Sequence, residues 1–269
     1  MRLPHSISGC RNHFWLWSLF VVLVTVSLAS DLRVAGGDEP ASKKNAEEQE
    51  ERYSFRKDHD PNGIGKFYMD REIAHVMGFA GMLWLERDER EEEEATSKLI
   101  KALQLKPGMV IADIGAGSGV ISILMAEKVG PKGKVLAVDV QQKMLDALKA
   151  KCTRLGIKNI KPVLGKSKSP QLPAGKVDLA IMVDVYHEFD FPYEMVQGIS
   201  EAMKPGGRVA FVEYRKEDAS VPIKRVHKMS EAQVKREIGL PEHQLKWTKT
   251  IDVLPWQHII VFEKQKPKS

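Results

Sequence analysis

The sequence predicts an α/β domain with a doubly wound, mostly parallel sheet of seven strands that ends in an antiparallel hairpin. Three observations carry this expectation. From residue 94 onward, short apolar runs alternate with amphipathic segments of helical period. A glycine-rich turn joins the first apolar run to the first helix. Two last runs, joined by Pro255-Trp256, follow the final helix and read as a hairpin.

The elements follow in order. Residues 94–105 read as an amphipathic helix with Leu99, Ile100, Leu103 and Leu105 on its apolar side, ended by Pro107-Gly108. A first strand is expected over 109–114 and a helix over 120–129. A second strand (134–138) is followed by a helix (144–155) that Gly156 closes. The third strand covers 160–164. The fourth, 177–183, is almost wholly apolar, as a parallel strand covered on both faces must be. A helix over 191–203 leads through Lys204-Pro205-Gly206-Gly207 into a fifth strand, 208–214. A helix from Ser230 to Ile238 precedes the hairpin strands, 245–254 and 258–262.

Upstream the organisation changes. Arg2, His5 and Arg11 precede an apolar run, residues 14–29, which reads as a secretory signal cleaved after Ala29 or as an uncleaved anchor. Either implies export or membrane proximity. Residues 31–57 are polar and read as a disordered tether, within a linker spanning 30–60. Residues 61–93 are expected to form a helical cap segment, in which Tyr68 and a helix starting near Met69 either cover a ligand or, as aromatics there more often do, belong to the core. The charged run 86–94 reads as a solvated helix face.

Composition excludes some functions. The chain of 269 residues carries +5 formal charge, and outside the leader 39 basic residues face 36 acidic ones. Lysines and arginines are scattered among acids, which argues against a nucleic-acid partner. Only Cys10 and Cys152 occur, and Cys10 falls in the leader. One remaining cysteine excludes a disulfide framework and a cysteine zinc site. Cys152 is expected on a helix as a small apolar residue. No metal-ligand cluster is visible in the sequence.

The motif that carries chemistry is Asp113-Ile114-Gly115-Ala116-Gly117-Ser118-Gly119. Glycines between a strand and a helix let backbone approach a nucleotide-like ligand closely. The spacing is G-x-G-x-G, and Val120 stands where a pyrophosphate fingerprint wants a small residue, which disfavours a nicotinamide oxidoreductase. Asp113 would repel a pyrophosphate but could balance a cationic ligand. Asp139 ends the second strand, where an acid accepts ribose hydroxyls or caps the next helix.

With these residues the chain resembles class I S-adenosylmethionine-dependent methyltransferases, which have a Rossmann-like sheet. Val110 to Gly119 looks like their first motif, Val138-Asp139 their second, and Met203-Lys204-Pro205-Gly206-Gly207-Arg208 their turn into the fifth strand. The resemblance spans about residues 95–263, within a methyltransferase domain set at 94–265. It implies S-adenosyl-L-methionine as the donor. Gly115, Gly117 and Gly119, with Ala116, would pack under it, and Asp113 would lie near its amino-acid portion. Asp139 would hold the ribose, and Val140 and Gln141 would flank the adenine. The loop 165–170 lacks the acid that often meets the adenine amine in this family, leaving Ser167 as the substitute.

Methyl transfer from an already activated donor depends chiefly on alignment, and a base is needed only if the acceptor must lose a proton. The fourth strand ends in Asp184-Val185-Tyr186-His187-Glu188, beyond the carboxyl end where ligands bind. His187 is the candidate base, or a cap or packing residue; Glu188 could orient it; Asp184 would contact donor or acceptor. Glu213, Tyr214 and Arg215 could line the acceptor pocket. The short match Asp184 to His187 resembles the quinone-biosynthesis branch and implies a small-molecule or lipid-like acceptor. The alternative is an exported binding module of the same fold without the reaction.

Overall fold

The apolar runs pair into two sheets. The computed structural model describes residues 52–266, so the apolar leader and the polar stretch up to residue 51 lie outside the described residues. Tyr53–Phe55 (β1), Gly63–Tyr68 (β2) and Arg71–Ala74 (β3) form a small antiparallel sheet. Met82–Leu85 (α1), Arg90–Glu94 (α2) and Thr96–Ala102 (α3) lead into the larger one. Its elements are Val110–Ile114 (β4), Val120–Val129 (α4), Lys134–Asp139 (β5), Gln142–Leu155 (α5), Ile160–Leu164 (β6) and Val177–Val183 (β7). Pro192–Ala202 (α6), Met203–Tyr214 (β8), Glu231–Ile238 (α7), Leu245–Ile251 (β9) and Gln257–Lys264 (β10) complete it.

The seven strands lie in the order β6-β5-β4-β7-β8-β10-β9. The first five are parallel, and β10 runs antiparallel to both β8 and β9. Alternation along each strand splits the core into two faces. Ala112, Ile114, Met182 and Phe211 pack on one side with Val196 and Ile199 of α6 and Val234 of α7. Ile111, Leu179, Ile181 and Val212 pack on the other with Leu99 of α3 and Met125 of α4. Met144, Leu145, Leu148 and Cys152 are buried at helical spacing on α5, so Cys152 is the packing residue its position predicts. Chain order reverses between β4 and β7, and the loops leaving their carboxyl ends open the crevice that such a reversal creates.

Several expectations are corrected. The tether reading of 31–57 fails at its end, where Tyr53–Phe55 pairs with β2. The segment 61–93 is not a helical cap: it begins with the β2–β3 hairpin, turned at Met69 and Asp70. Both have positive φ (46° and 66°), as a two-residue primed turn demands. No glycine or asparagine stands there to announce the turn. Tyr68 takes the core reading, buried against Tyr53.

The helix expected over 94–105 is broken at Ala95, which sits at φ 50° between α2 and α3. The charged run is not simply a solvated face. Arg90 and Glu94 are buried and paired at 2.8 Å, and Arg87 bridges Glu93 and Glu94. The turn at 204–207 is taken into β8, with a register shift against β7 between Val177 and Leu179.

Candidate active site

A cavity of about 810 Å³ opens beyond the carboxyl ends of β4, β5 and β7. It joins the glycine loop, the end of β5, the loop after β7 and the approach to α1. Gly115 and Gly117 present bare backbone to it. A Cβ on Gly115 would stand 2.4 Å from Val185 Cγ2, and one on Gly117 2.6 Å from Leu85 Cδ1. Both residues also have positive φ, so glycine is required twice over.

Asp139 orders the loop. Its carboxylate accepts from Gly117 N–H at 2.9 Å and from Gln141 N–H at 2.8 Å. Burial raises its pKa, and these backbone donors oppose the shift. Val140, Gln141 and Ser167 line the same space, and the Gln141 side chain donates to Met77 O at 2.9 Å.

Three members of the expected donor set lie elsewhere. Asp113 is buried beneath the loop and accepts from Ser122 Oγ at 2.5 Å; it does not line the cavity. Burial pushes its carboxyl up to about 6. Gly119 serves packing: a Cβ there would stand 2.1 Å from Leu148 Cδ1. Ala116 packs with the α5 cluster.

Asp184 holds φ 54°, a conformation uncommon for a residue with a side chain. Its Oδ2 accepts from Gln257 Nε2 at 3.1 Å, and its buried Oδ1 has no partner. Burial, then the carboxylates of Glu94 and Glu213, raise its pKa well above the usual range. An unpartnered buried carboxylate oxygen in a cavity wall suits a cationic ligand.

His187 is buried, and its orienting partner is Glu213, not Glu188. Nδ1 lies 2.6 Å from Glu213 Oε2, while Tyr186 N–H donates to Oε1 at 2.9 Å. Glu188 stands 4.0 Å from Nε2 and accepts from Met77 N–H. Burial pushes Glu213 up to about 8 and His187 down to about 4, disfavouring charge on both. Loss of a proton from this dyad leaves a lone pair on Nε2, which lies at the cavity wall within hydrogen-bond distance of a second ring. Behind it, Arg71 clasps Glu237 with two bonds, at 2.7 and 2.9 Å, and donates to His187 O. Tyr186 Oη donates to Glu237 at 2.6 Å.

Sequence reading missed His227, whose Nδ1 lies 3.2 Å from His187 Nε2. A short turn, Arg225–His227, carries it there, held by the bridge between Arg215 and Met229. Nothing in the local sequence signals the contact. The clustering of His187, Glu188 and His227 also corrects the expectation that no metal-ligand group exists. Tyr214 lines the cavity; Arg215 instead donates to backbone carbonyls of Leu254 and Gln257.

Strand order, glycine loop and cavity together define the class I methyltransferase fold. The chain belongs to the methyltransferase domain family, whose model matches residues 105–262. A demethylmenaquinone methyltransferase from Lactococcus lactis is 29% identical over 117 residues, 44% of this chain and 46% of that protein. Nocamycin O-methyltransferase from Saccharothrix syringae is 32% identical over 82 residues, 30% of this chain and 29% of that protein. The chain thus spans less than half the length of these curated relatives. The crystal structure of a SAM-dependent methyltransferase from Aquifex aeolicus superposes with TM-score 0.65 at 24% identity, over 70% of this chain and 100% of that one.

Proposed function

We propose that the protein transfers a methyl group from S-adenosylmethionine to a small, largely apolar acceptor. One observation carries this reading: a single cavity connects the bare Gly115–Gly117 backbone and Asp139 with Asp184, His187 and Glu188. When bound, the donor supplies a methyl group already activated on a sulfonium. Gly115 and Gly117 let the backbone approach it, Asp139 faces its ribose, and Val140, Gln141 and Ser167 border its adenine. The unpartnered Oδ1 of Asp184 matches the donor's positive charge.

His187, oriented by Glu213, takes the acceptor's proton at Nε2 when the acceptor carries one. Met77, Leu85, Val185 and Phe189 give the remaining wall an apolar character that favours a small-molecule or lipid-like acceptor over a nucleic acid. The basic, then apolar, leader supports delivery to a membrane face or beyond it. Among the described residues no helix is long and apolar enough to cross a membrane.

Calorimetric titration of the full chain with S-adenosylmethionine and with its demethylated product tests the reading. Micromolar binding, weakened at least tenfold in a folded Asp139→Ala variant, is expected. Absence of binding by the folded wild type would sink the enzyme reading and leave a binding module of the same fold.

A further inference from the structure

We propose that His187 Nε2, His227 Nδ1 and a carboxylate oxygen of Glu188 form a site for one divalent first-row transition ion, with zinc(II) as the reference ion. Among the described residues this is the group of histidine, cysteine and acidic side chains whose ligand atoms all lie within 4.8 Å of one another. The two nitrogens are 3.2 Å apart, and Glu188 Oε1 lies 4.0 Å from His187 Nε2 and 3.9 Å from His227 Nδ1. A point equidistant from the three atoms is about 2.2 Å from each, and zinc takes imidazole nitrogen and carboxylate oxygen at about 2.0–2.2 Å.

Hydrogen bonding accounts for part of this convergence, through the His187–His227 contact and the Met77 N–H that holds Glu188, but not for the approach of Glu188 to the two rings. Glu188 stands too far from either ring to accept a hydrogen bond from it. The two ring nitrogens can share one proton at most. The neighbouring cation on this stretch, Lys224, turns instead to Asn62 Oδ1. Two imidazoles and one carboxylate that leave a coordination position open form the donor set of catalytic zinc and of non-haem iron.

An independent feature points the same way. Metal-bound histidines commonly offer their second nitrogen to a carboxylate, which fixes the ring. Glu213 does this for His187 at 2.6 Å, and Glu213 is in turn fixed by Tyr186 N–H. Arg71 holds the His187 carbonyl from behind. His227 is partly exposed, which gives the ion an entry path, and all three ligands line the cavity.

The purpose of the site, though not its existence, rests on the methyl-transfer reading. All three ligands line the cavity, and an open coordination position there suits an oxygen donor, so the acceptor class becomes a hydroxyl compound. With the ion bound, the Nε2 lone pair is engaged, and the ion rather than a free imidazole acts on the acceptor oxygen.

The test titrates chelator-stripped full chain with Co²⁺, followed by its visible d–d band, and then with Zn²⁺ in competition. One ion per chain at micromolar or tighter affinity is expected. His227→Ala and the size-conserving His227→Gln should each lower affinity at least a hundredfold. Glu213→Gln should lower it by about 10–100-fold, as loss of a ring-orienting partner does. No visible band in the wild type, or binding unchanged in both folded His227 variants, overturns the site. Donor calorimetry on the same samples separates the two readings. Donor binding without the ion refutes the site alone, and ion binding without the donor refutes methyl transfer while upholding the site.

Discussion

At Asp113 and at the His187–Glu213 dyad, burial rather than motif position decides what a carboxylate does. Asp113 belongs to the glycine motif, yet its partner is Ser122 and it stays out of the cavity. Replacing it with asparagine should therefore leave donor affinity within about threefold, read by calorimetry. Stability is where that substitution acts. A carboxyl raised to about 6 from 3.8 is protonated more readily folded than unfolded. Its contribution is present below the unfolded pKa and is lost as pH rises from about 4 to beyond 6, by an amount on the order of 3 kcal/mol. The stability difference between Asp113→Asn and wild type should shift in the variant's favour across that window in urea denaturation. For the dyad, Glu213→Gln should lower turnover at saturating donor by about 10–100-fold, measured by product formation.

The glycine loop and the start of α4 work as one element, and each glycine in it answers to a different neighbour. Gly115 yields to Val185, Gly117 to Leu85 and Gly119 to Leu148 of α5. Gly119 also caps α4 at φ 82°. Gly119→Ala should therefore destabilise the protein by about 2–4 kcal/mol, through overlap and a disfavoured backbone. Leu148→Ala alone should cost about 2–5 kcal/mol for the cavity it leaves. The double variant should cost clearly less than the two together, because the added methyl enters the vacated space. Full additivity in denaturant melts would refute the packing account.

Across the molecule, the small N-terminal sheet is joined to the large one by a buried ion pair and by a second pair whose carboxylate is partly exposed. Arg71 reaches Glu237 on α7, and Lys66 reaches Asp190 after β7 at 3.0 Å. Breaking the first pair with Arg71→Ala leaves a buried carboxylate uncompensated and should cost about 3–5 kcal/mol. Removing both charges together, as Arg71→Met with Glu237→Leu, should recover part of that loss in thermal melts.

Donor binding is coupled to the same network of buried charge. Burial, then Glu94 and Glu213, keep Asp184 protonated well above the usual carboxylate range, while Gln257 and Arg90 pull the other way. A cationic donor favours the ionised form, so binding should release a proton and affinity should rise with pH until Asp184 is ionised in the free protein. Calorimetry in buffers of different ionisation enthalpy should show that release, and Asp184→Asn should abolish it.

Much of this was legible along the chain because it depends on local spacing. The period-2 and period-3.6 runs placed β4 to β10 and α4 to α7 within a few residues, since parallel strands buried on both faces admit little but aliphatic side chains. The glycine motif and Asp139 located the donor end. The sequence by itself determined the fold class, the family and the loop that approaches the donor. Tertiary structure alone decided the rest. A turn built from Met69 and Asp70 carries no glycine signal, so the small sheet read as helix and tether. The role expected of Glu188 fell to Glu213, 26 residues from His187, because neighbouring strands place them face to face. His227, 40 residues from His187, meets it only where a bridge folds one loop over another. Contacts at such separations are set by strand order and burial, which leave no local pattern to read.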